Sequence, residues 1–305
     1  MPQTESMNPV FADLNDLLSL KQRAVIPLGQ TRKQSYSGVG EMKSPFKTKG
    51  LDFQEVRAYQ AGDDVRLIDW RVTAKYGKPF TKLYTDEKER QIYFICDMRS
   101  GMKFATQGAF KSVLVARGSA FLTFMAQQRG DKIGYTIINA DKIETARCTT
   151  NHQDVLSFLK KLEFASVPDK CPPDTVSLAD ALHMSDKQIK SGSIVFILSD
   201  FADWDDRCEA FIGRWHQKST CAFLHVYDTT EESLPSDLLP VSNGQDVICL
   251  DMQNQAVQRA YEQMFARRRQ RLEKIVQTYQ LGFVPIRTDS PAIDLIETYC
   301  LGNKP

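Results

Sequence analysis

The sequence contains no long hydrophobic run. Across its 305 residues, no apolar stretch approaches the roughly 18–20 residues that are needed to cross a bilayer. Residues 1–18 also lack the basic start and the apolar block of a secretory signal. These two absences predict a cytoplasmic protein with no integral membrane segment.

An excess of charge of one sign is also absent. The chain has 39 Lys and Arg residues and 38 Asp and Glu residues, for a net charge of +1, so no global field favours nucleic acid or an anionic membrane. One basic run, at residues 267–271, falls on a segment whose apolar residues repeat with helical spacing, which predicts a solvated helix face. We therefore predict no nucleic-acid partner.

Cysteine and histidine are few and scattered. The seven cysteines include no C-x-x-C pair, and Cys96, Cys221 and Cys249 lie within apolar runs, which indicates reduced thiols in a core. The four histidines are far apart, and neither a G-x-S-x-G sequence nor a phosphate-binding loop occurs. These absences predict a protein that is not an enzyme and that needs no cofactor.

What the sequence does contain is a dense cluster of charges around a glycine turn, followed by an aromatic residue. Its members are Arg57, Tyr59, Gly62, Asp63, Asp64, Arg66, Asp69 and Trp70. The cluster is either a charged surface that docks a partner or a turn that is locked by internal ion pairs. We favour the second interpretation, because mixed charges usually satisfy each other. It predicts a one-turn helix over residues 65–70, capped by Asp63 or Asp64, with Trp70 largely buried.

From residue 91 onward, apolar strands alternate with amphipathic helices. The continuous apolar runs 92–96 and 193–198 are typical of buried parallel strands, and they lead into Asp97 and Asp200. The alternation predicts a mostly parallel sheet with helices on both faces. Because such sheets bind ligands at the carboxyl edge of their strands, we expect Asp97 and Asp200 to lie close together there.

The charged cluster and the strand that ends in Asp97 together resemble the bacterial family known as domain of unknown function 58. The resemblance covers about residues 35–300 and implies a von Willebrand factor A-like (Rossmann-like) α/β fold. It also implies a gene that often lies beside that of a MoxR-type AAA+ ATPase. On this basis we divide the chain into an N-terminal helix (1–28), a small extended or β subdomain (29–90) and a von Willebrand A-like domain (91–305).

The resemblance implies a divalent-ion site whose ligands this chain retains only in part. Asp97 and Asp200 match the two aspartate ligands, but the two serine positions fall on Arg99 and Gly101. A Mg²⁺ site needs several oxygen ligands in near-octahedral geometry. We therefore predict an edge without a metal, in which the Arg99 guanidinium pairs with Asp97 or Asp200 and supplies the positive charge.

The remaining positions of this edge are less well matched. The threonine position of the family falls on Val176, between Thr175 and Ser177, and Ser100 lies one position out of register. We expect the exposed part of the edge, formed by Arg99, Ser100 and Lys103, to bind a partner. The whole predicted edge consists of Asp97, Arg99, Ser100, Gly101, Lys103, Thr175 and Asp200.

These features predict a non-enzymatic adaptor that recognises a protein and couples it to a MoxR-like AAA+ ATPase, in a chaperone-like or assembly role. The ATPase follows from the resemblance alone. Two alternatives stay open: a Mg²⁺-dependent adhesion-type binding domain that uses Asp97 and Asp200, and an uncharacterised hydrolase that uses Asp63, Asp64 and Asp69. Intact hydroxyl ligands would have favoured the first alternative, and a convergent His/Asp cluster the second.

Overall fold

The computed structural model describes residues 8–24, 53–60, 65, 68–84, 90–168, 173–232, 238–242, 247–251 and 255–301. The chain divides into a smaller unit, residues 46–89, and a larger unit formed by residues 1–45 and 90–305. In chain order, the described helices and strands are α1 (Leu14–Arg23), β1 (Phe53–Ala58), α2 (Trp70–Tyr76), β2 (Phe80–Tyr84), β3 (Gln91–Asp97), α3 (Lys111–Gln128), β4 (Lys132–Ile138), β5 (Ile143–Thr149), α4 (His152–Ser166), α5 (Leu178–Asp186), β6 (Ile194–Ser199), α6 (Asp206–Trp215), β7 (Thr220–Tyr227), α7 (Thr229–Glu232), β8 (Leu238–Ser242), β9 (Val247–Asp251), α8 (Gln255–Thr278), β10 (Gly282–Arg287) and α9 (Ala292–Cys300).

A six-stranded sheet forms the centre of the larger unit. Its strand order is β10-β7-β6-β3-β4-β5, and only β5 of these six pairs antiparallel with its neighbour. The central strands β3 and β6 are buried runs, as strands covered on both faces require. The predicted α/β class with a mostly parallel sheet is confirmed. The strand order reverses between β3 and β6, and ligands of such sheets bind at the carboxyl edge of that reversal.

Helices cover both faces of this sheet. Neighbouring residues of a strand point to opposite faces, so a continuous apolar strand needs a helix on each face. Tyr93 and Ile95 of β3 belong to a buried core that includes residues of α5, α6 and α8. Phe94, between them, stacks on Phe158 of α4 with the ring centroids 5.8 Å apart. On this second face, α3 is buried along most of its length and contacts α1, α4 and α9.

The N-terminal helix α1 is part of the larger unit. Its Leu17 is fully buried. The backbone N–H of Ala12 donates a hydrogen bond of 2.9 Å to Ser166 Oγ, and that of Leu14 donates one of 2.9 Å to Glu163 Oε1. These contacts attach α1 to α4, more than 140 positions away in the chain.

The smaller unit contains the strand pair β1–β2 and the helix α2. In the strand pair, Arg57 lies opposite Thr81. The N–H of Tyr59 donates a hydrogen bond of 2.8 Å to the Pro79 carbonyl. Four further members of the charged cluster, and with them the predicted cap by Asp63 or Asp64, lie outside the described residues: Gly62, Asp63, Asp64 and Arg66.

The helix of this unit begins later than the sequence predicts. Val65 lies in a 3₁₀ turn, and its carbonyl accepts the N–H of Ile68 at 3.3 Å. Ile68 forms a β-bridge to β2 and Asp69 has extended backbone angles, so the predicted helix over residues 65–70 is wrong in its extent. Helix α2 begins at Trp70, because the Asp69 carboxylate accepts the N–H of Arg71 at 3.0 Å. Trp70 is 70% exposed, and the prediction that it is largely buried is also wrong. No other residue of α2 is buried either.

The C-terminal part of the larger unit carries the basic run on α8. Leu272 and Ile275 of this helix are buried, whereas Arg267 and Arg271 are exposed, as the predicted solvated helix face requires. Strands β8 and β9 form a separate antiparallel pair between β7 and α8 in the chain. Within the described part of the chain, no helix combines the length and the apolar character that crossing a membrane requires.

Candidate functional site

The carboxyl edge of the sheet brings together polar residues from two adjacent strands. Strand β3 ends at Asp97, and Asp200 directly follows β6. The two strands are parallel neighbours with Cys96 opposite Leu198, so both aspartates lie where the strand order reverses. Between them, Ser199 Oγ donates a hydrogen bond of 2.7 Å to Asp97 Oδ2. The sheet therefore brings the two strand-end aspartates together, as the alternating pattern predicts.

A single guanidinium joins the first aspartate to the loop after β6. Arg99 Nε and Nη2 donate hydrogen bonds of 2.9 and 2.7 Å to the two carboxylate oxygens of Asp97. Its Nη1 and Nη2 donate bonds of 2.6 and 2.8 Å to Asp203, and Nη1 also contacts the Val176 carbonyl at 3.3 Å. Arg99 thus pairs with Asp97, one of the two partners that the sequence predicts. Its second carboxylate is Asp203 rather than Asp200.

A buried lysine neutralises the second aspartate. Lys111 is the first residue of α3 and is only 2% exposed. Its Nζ donates hydrogen bonds of 2.8 Å to Asp200 and 2.6 Å to Glu231. The sequence analysis missed Lys111, Asp203 and Glu231. The sequence does indicate a special role for the lysine. A cation in the first turn of an apolar helix opposes the helix dipole, and it needs a carboxylate partner once it is buried.

Burial and these two cations determine the electrostatics of the edge. Burial raises the pKa of the Asp97 carboxyl, and the hydrogen bonds from Arg99 oppose that rise. Burial also acts to raise the pKa of Asp200, but the Lys111 ammonium outweighs it and lowers that pKa to about 2. Although burial opposes it, Asp200 and Glu231 raise the pKa of Lys111. Asp200 and Lys111 are therefore both charged at neutral pH.

Arg99 does not lie on the surface, in contrast to the expectation that it forms the exposed part of the edge. Two carboxylates hold its guanidinium in the interior, and the residue is 7% exposed. The residues that follow it reach the solvent instead. Ser100 and Lys103 are half-buried, Gly101 is exposed and Phe104 is 44% exposed. We call these four residues the edge surface.

The hydroxyl groups near the threonine position have other partners. Thr175 Oγ1 donates a hydrogen bond of 3.2 Å to the Ala140 carbonyl. Ser177 caps α5, and its Oγ accepts the N–H of Asp180 at 3.2 Å. Val176, between them, has no hydroxyl group, and its carbonyl accepts a hydrogen bond from Arg99. The predicted edge residue Thr175 is therefore engaged away from the two strand-end aspartates.

The donors at this edge do not fit a divalent cation. Hydrogen bonds from Arg99 and Lys111 occupy the strand-end carboxylates, and both groups carry positive charge that repels a metal ion. Gly101 has no side-chain ligand. Mg²⁺ needs about six oxygen ligands in near-octahedral geometry, which these residues do not supply. Over the whole described chain, no group of three or more His, Cys, Asp or Glu side chains is arranged to hold a metal ion.

A second polar cluster lies at the carboxyl ends of β7 and β10. Asp228 accepts hydrogen bonds from Thr106 (N–H, 2.8 Å; Oγ1, 2.6 Å), from Thr230 Oγ1 (2.6 Å) and from Thr288 Oγ1 (2.7 Å). Despite burial, these bonds lower the pKa of Asp228 to about 2. Nearby in β7, burial lowers the pKa of His225 to about 4, so its imidazole is neutral at pH 7. The sequence analysis missed this cluster, which fixes the loop that follows the edge surface.

The cysteines that the structure describes are core residues rather than nucleophiles. Cys96 and Cys221 are buried, as their apolar surroundings predict, and burial raises the pKa of each thiol to about 12. A thiol with such a pKa is protonated at neutral pH and is inert. Cys249 lies in β9, and its side chain is outside the described part.

Comparisons with known proteins give a family and several relatives. Residues 55–271 match the family described as "Protein of unknown function DUF58". Uncharacterised proteins of Mycobacterium bovis (Mb1516) and Mycobacterium tuberculosis (Rv1480) are 28% identical over 180 residues, which are 58% of this chain and 56% of each relative. The chain thus spans about half the length of these curated relatives.

Two solved structures are similar in part. A conserved hypothetical protein, BatB, from Bacteroides thetaiotaomicron aligns over 69% of this chain and 95% of its own, with a TM-score of 0.42 and 13% identity. A von Willebrand factor type A protein from Catenulispora acidiphila aligns over 73% of this chain and 44% of its own, with a TM-score of 0.39 and 10% identity.

Proposed function

The chain belongs to the family described as protein of unknown function DUF58, and we propose that it is a non-enzymatic adaptor whose partner is a MoxR-type AAA+ ATPase. The adaptor presents a client protein to that ATPase in a chaperone-like or assembly role, in the cytoplasm. The resemblance to the family supplies the ATPase as the partner. The observation that supports a binding role is the pairing of the strand-end carboxylates with two buried cations of the chain itself.

Paired carboxylates suit binding better than catalysis. A general base needs an oxygen that is free to accept a proton from a substrate. Asp97 and Asp200 instead accept hydrogen bonds from Arg99 and Lys111. Arg99 also pairs with Asp203, which connects the loops that follow β3 and β6. Loops that are ordered before binding lose little conformational entropy when a partner docks.

The edge surface has the composition of a docking site. Phe104 presents an aromatic ring to solvent, and Lys103 places a cation one residue away. Aromatic residues are enriched among the residues that dominate binding energy, and charges at the rim of an interface steer association. Phe104 was not among the predicted site residues, and it replaces the buried Arg99 as the main candidate for partner contact.

The test is binding between the full chain and the MoxR-type ATPase encoded in the same genome, measured by biolayer interferometry. We expect Phe104→Ala and Lys103→Glu each to weaken the complex about tenfold or more, as losses at interface hot spots do. The effect of Lys103→Glu should be larger at low salt, because salt screens exposed charges. The matched control is Lys218→Glu, an exposed residue just before β7, at the opposite edge of the sheet.

The two parts of this proposal fail separately. Absence of binding between the wild-type chain and every MoxR-type ATPase of its genome would overturn the adaptor role. Wild-type binding that Phe104→Ala, Lys103→Glu and Lys218→Glu all leave unchanged would keep the adaptor role and remove the edge surface from it.

A further inference from the structure

A groove runs between α4 and the strands β4 and β5, and it reaches Asn139 just after the end of β4. Two cavities of about 260 and 280 Å³ adjoin there, and Ser157 lines both of them. Residues of β4 and β5 that share one face form the floor, among them Tyr135 and Ala146, which lie opposite each other. Residues of α4 spaced three or four positions apart form the wall, including Asp154 and Lys161.

Among the described helices, α4 has neighbours on one flank only, and this leaves the groove open on the other flank. On one side, Ser166 and Glu163 of α4 accept backbone N–H groups from the segment that leads into α1. On the other side lies β5, whose Glu144 and Ala146 remain partly exposed on the face toward α4. The opposite face of β5 is occupied, because Ile143 packs against the core that includes α5.

An exposed aromatic ring marks the rim of this groove. Phe164 of α4 lines one of the cavities and is 80% exposed, more than any other large hydrophobic residue that the structure describes. Leu156 and Val167 of the same region are 38% and 39% exposed. Exposed apolar side chains that border a groove are typical of sites where another macromolecule binds.

The edge of β5 is protected against pairing with another strand. The register of β5 on β4 shifts between the pairs Tyr135–Ala146 and Ile133–Thr149, which places a bulge in the edge strand. The exposed Arg147 lies within that bulge. Bulges and charged side chains are the devices by which proteins prevent strand addition at a sheet edge. An occupant of this groove therefore lies on the face of the sheet beside α4, where a helix fits.

The charge of the rim specifies the occupant further. Exposed cations lie on both cavities, Lys160 on one and Arg147 on the other. The acidic residues in the lining are Glu144 and Asp154. Glu144 already forms ion pairs with Lys142 and Lys161, at 2.7 and 2.8 Å, and Asp154 is exposed. We propose that the groove binds an amphipathic helix of a protein partner, with its apolar face on Phe164 and its acidic flank on Lys160 and Arg147.

This site is independent of the adaptor role at the carboxyl edge. The wall runs from Asp154 to Ala165 along α4, about 16 Å at 1.5 Å per residue, which matches three turns of a bound helix. A helix bound in this groove packs on one flank of α4, just as α1 packs on the other flank.

The probe is a synthetic fluorescein-labelled helical peptide of about 14 residues, long enough to cover the groove. It carries leucines at helical spacing on one face and glutamates on the flanks, and its twin carries lysines in place of the glutamates. Fluorescence anisotropy with the full chain measures binding. We expect the glutamate peptide to bind at least about tenfold more tightly than the lysine twin, because complementary charge selects the partner.

Variants of the chain separate this groove from unspecific binding. Phe164→Ala and Lys160→Glu should each weaken binding of the glutamate peptide by about tenfold. Their matched controls are Met184→Ala, an exposed apolar residue of α5, and Lys218→Glu, and both should leave binding unchanged. All four positions are exposed, so these substitutions remove no buried contact.

Three results would overturn the proposal. The first is no binding of the glutamate peptide at ~1 mM, and the second is equal binding by the wild type and by Phe164→Ala. The third is a concentration-dependent dimer in light scattering that Phe164→Ala abolishes. In that case a second copy of the chain, and not a partner helix, covers the groove.

Discussion

At the scale of single residues, the Lys111 ammonium lies between the carboxylates of Asp200 and Glu231. Its removal leaves two largely buried negative charges without their cation, and breaking such a buried pair costs about 3–5 kcal/mol. We expect Lys111→Met to lower the free energy of unfolding by that amount in urea denaturation. Lys218→Met, at an exposed position, is the matched control and should change it by less than about 0.5 kcal/mol. A loss below about 1 kcal/mol for Lys111→Met contradicts the role of this ion pair.

His225 makes stability depend on pH in a defined window. Burial lowers its pKa from the ordinary 6.5 to about 4 in the folded chain. Between these values the unfolded chain binds a proton that the folded chain excludes, so stability is complete above pH 6.5 and decreases as the pH falls toward 4. The loss is about 3 kcal/mol. His225→Phe, which keeps an aromatic ring beside Tyr227 and Phe283, should remove this slope from urea denaturation curves.

The exposed His183 supplies the control for this experiment. His183→Gln should leave the pH dependence between 6.5 and 4 as it is in the wild type. An unchanged slope in His225→Phe would show that other groups titrate in this window and that the buried imidazole contributes nothing.

At the scale of elements, α1 tests whether the N-terminal segment belongs to the α/β unit. Leu17 is fully buried and its neighbour Leu18 is 37% exposed, so the two positions form a matched pair on one helix. We expect Leu17→Ala to lower the free energy of unfolding by about 2–5 kcal/mol, as buried leucine truncations do. Leu18→Ala should cost less than about 1 kcal/mol. Equal losses measured in urea would contradict the packing of α1 against α3 and α4.

The helix α2 tests the corrected description of the charged cluster. The Asp69 carboxylate caps this helix, whereas Trp70 is mostly exposed. We expect Asp69→Ala to destabilise α2 by about 1 kcal/mol, the usual value of an N-cap, and Trp70→Ala to cost less. Amide hydrogen exchange of α2 measures both. Faster exchange in Trp70→Ala than in Asp69→Ala would restore the prediction of a structural tryptophan.

At the scale of the whole molecule, the paired carboxylates should make global stability indifferent to divalent ions. A ligand that binds the folded state raises the melting temperature in proportion to RT ln(1 + [L]/Kd). We expect Mg²⁺ or Mn²⁺ at ~5 mM to leave the melting temperature unchanged and to give no binding heat in titration calorimetry. A micromolar Kd that Asp97→Ala abolishes would contradict the assignment of this edge and would favour the adhesion-type alternative.

Much of the large unit is predictable from sequence because its signals are local. Continuous apolar runs identify β3 and β6, and the parallel order places Asp97 and Asp200 at one edge. The Arg99–Asp97 pair is predictable for the same reason, because the two residues are only two positions apart. Local spacing contains the information for these contacts.

The other half of the site depends on tertiary packing. Lys111 and Asp200 are 89 positions apart, and Arg99 and Asp203 are 104 positions apart, so only the folded sheet brings them together. The prediction for Trp70 is wrong for a different reason. The hydrophobicity of a tryptophan shows that its burial is favourable, but not whether a core lies near enough to bury it. The Asp69 cap makes Trp70 the first residue of α2, where its side chain is exposed.

The two cations of the carboxyl edge are part of the polypeptide, so every translated molecule carries them. A chelator cannot strip them, and scarcity of magnesium cannot withhold them. Only substitution of Arg99 or Lys111 removes them, whereas an edge that depends on a bound ion changes with the composition of its surroundings. We therefore expect the form that this edge offers to other molecules to be inherited with the gene and to be the same in metal-poor and metal-rich media.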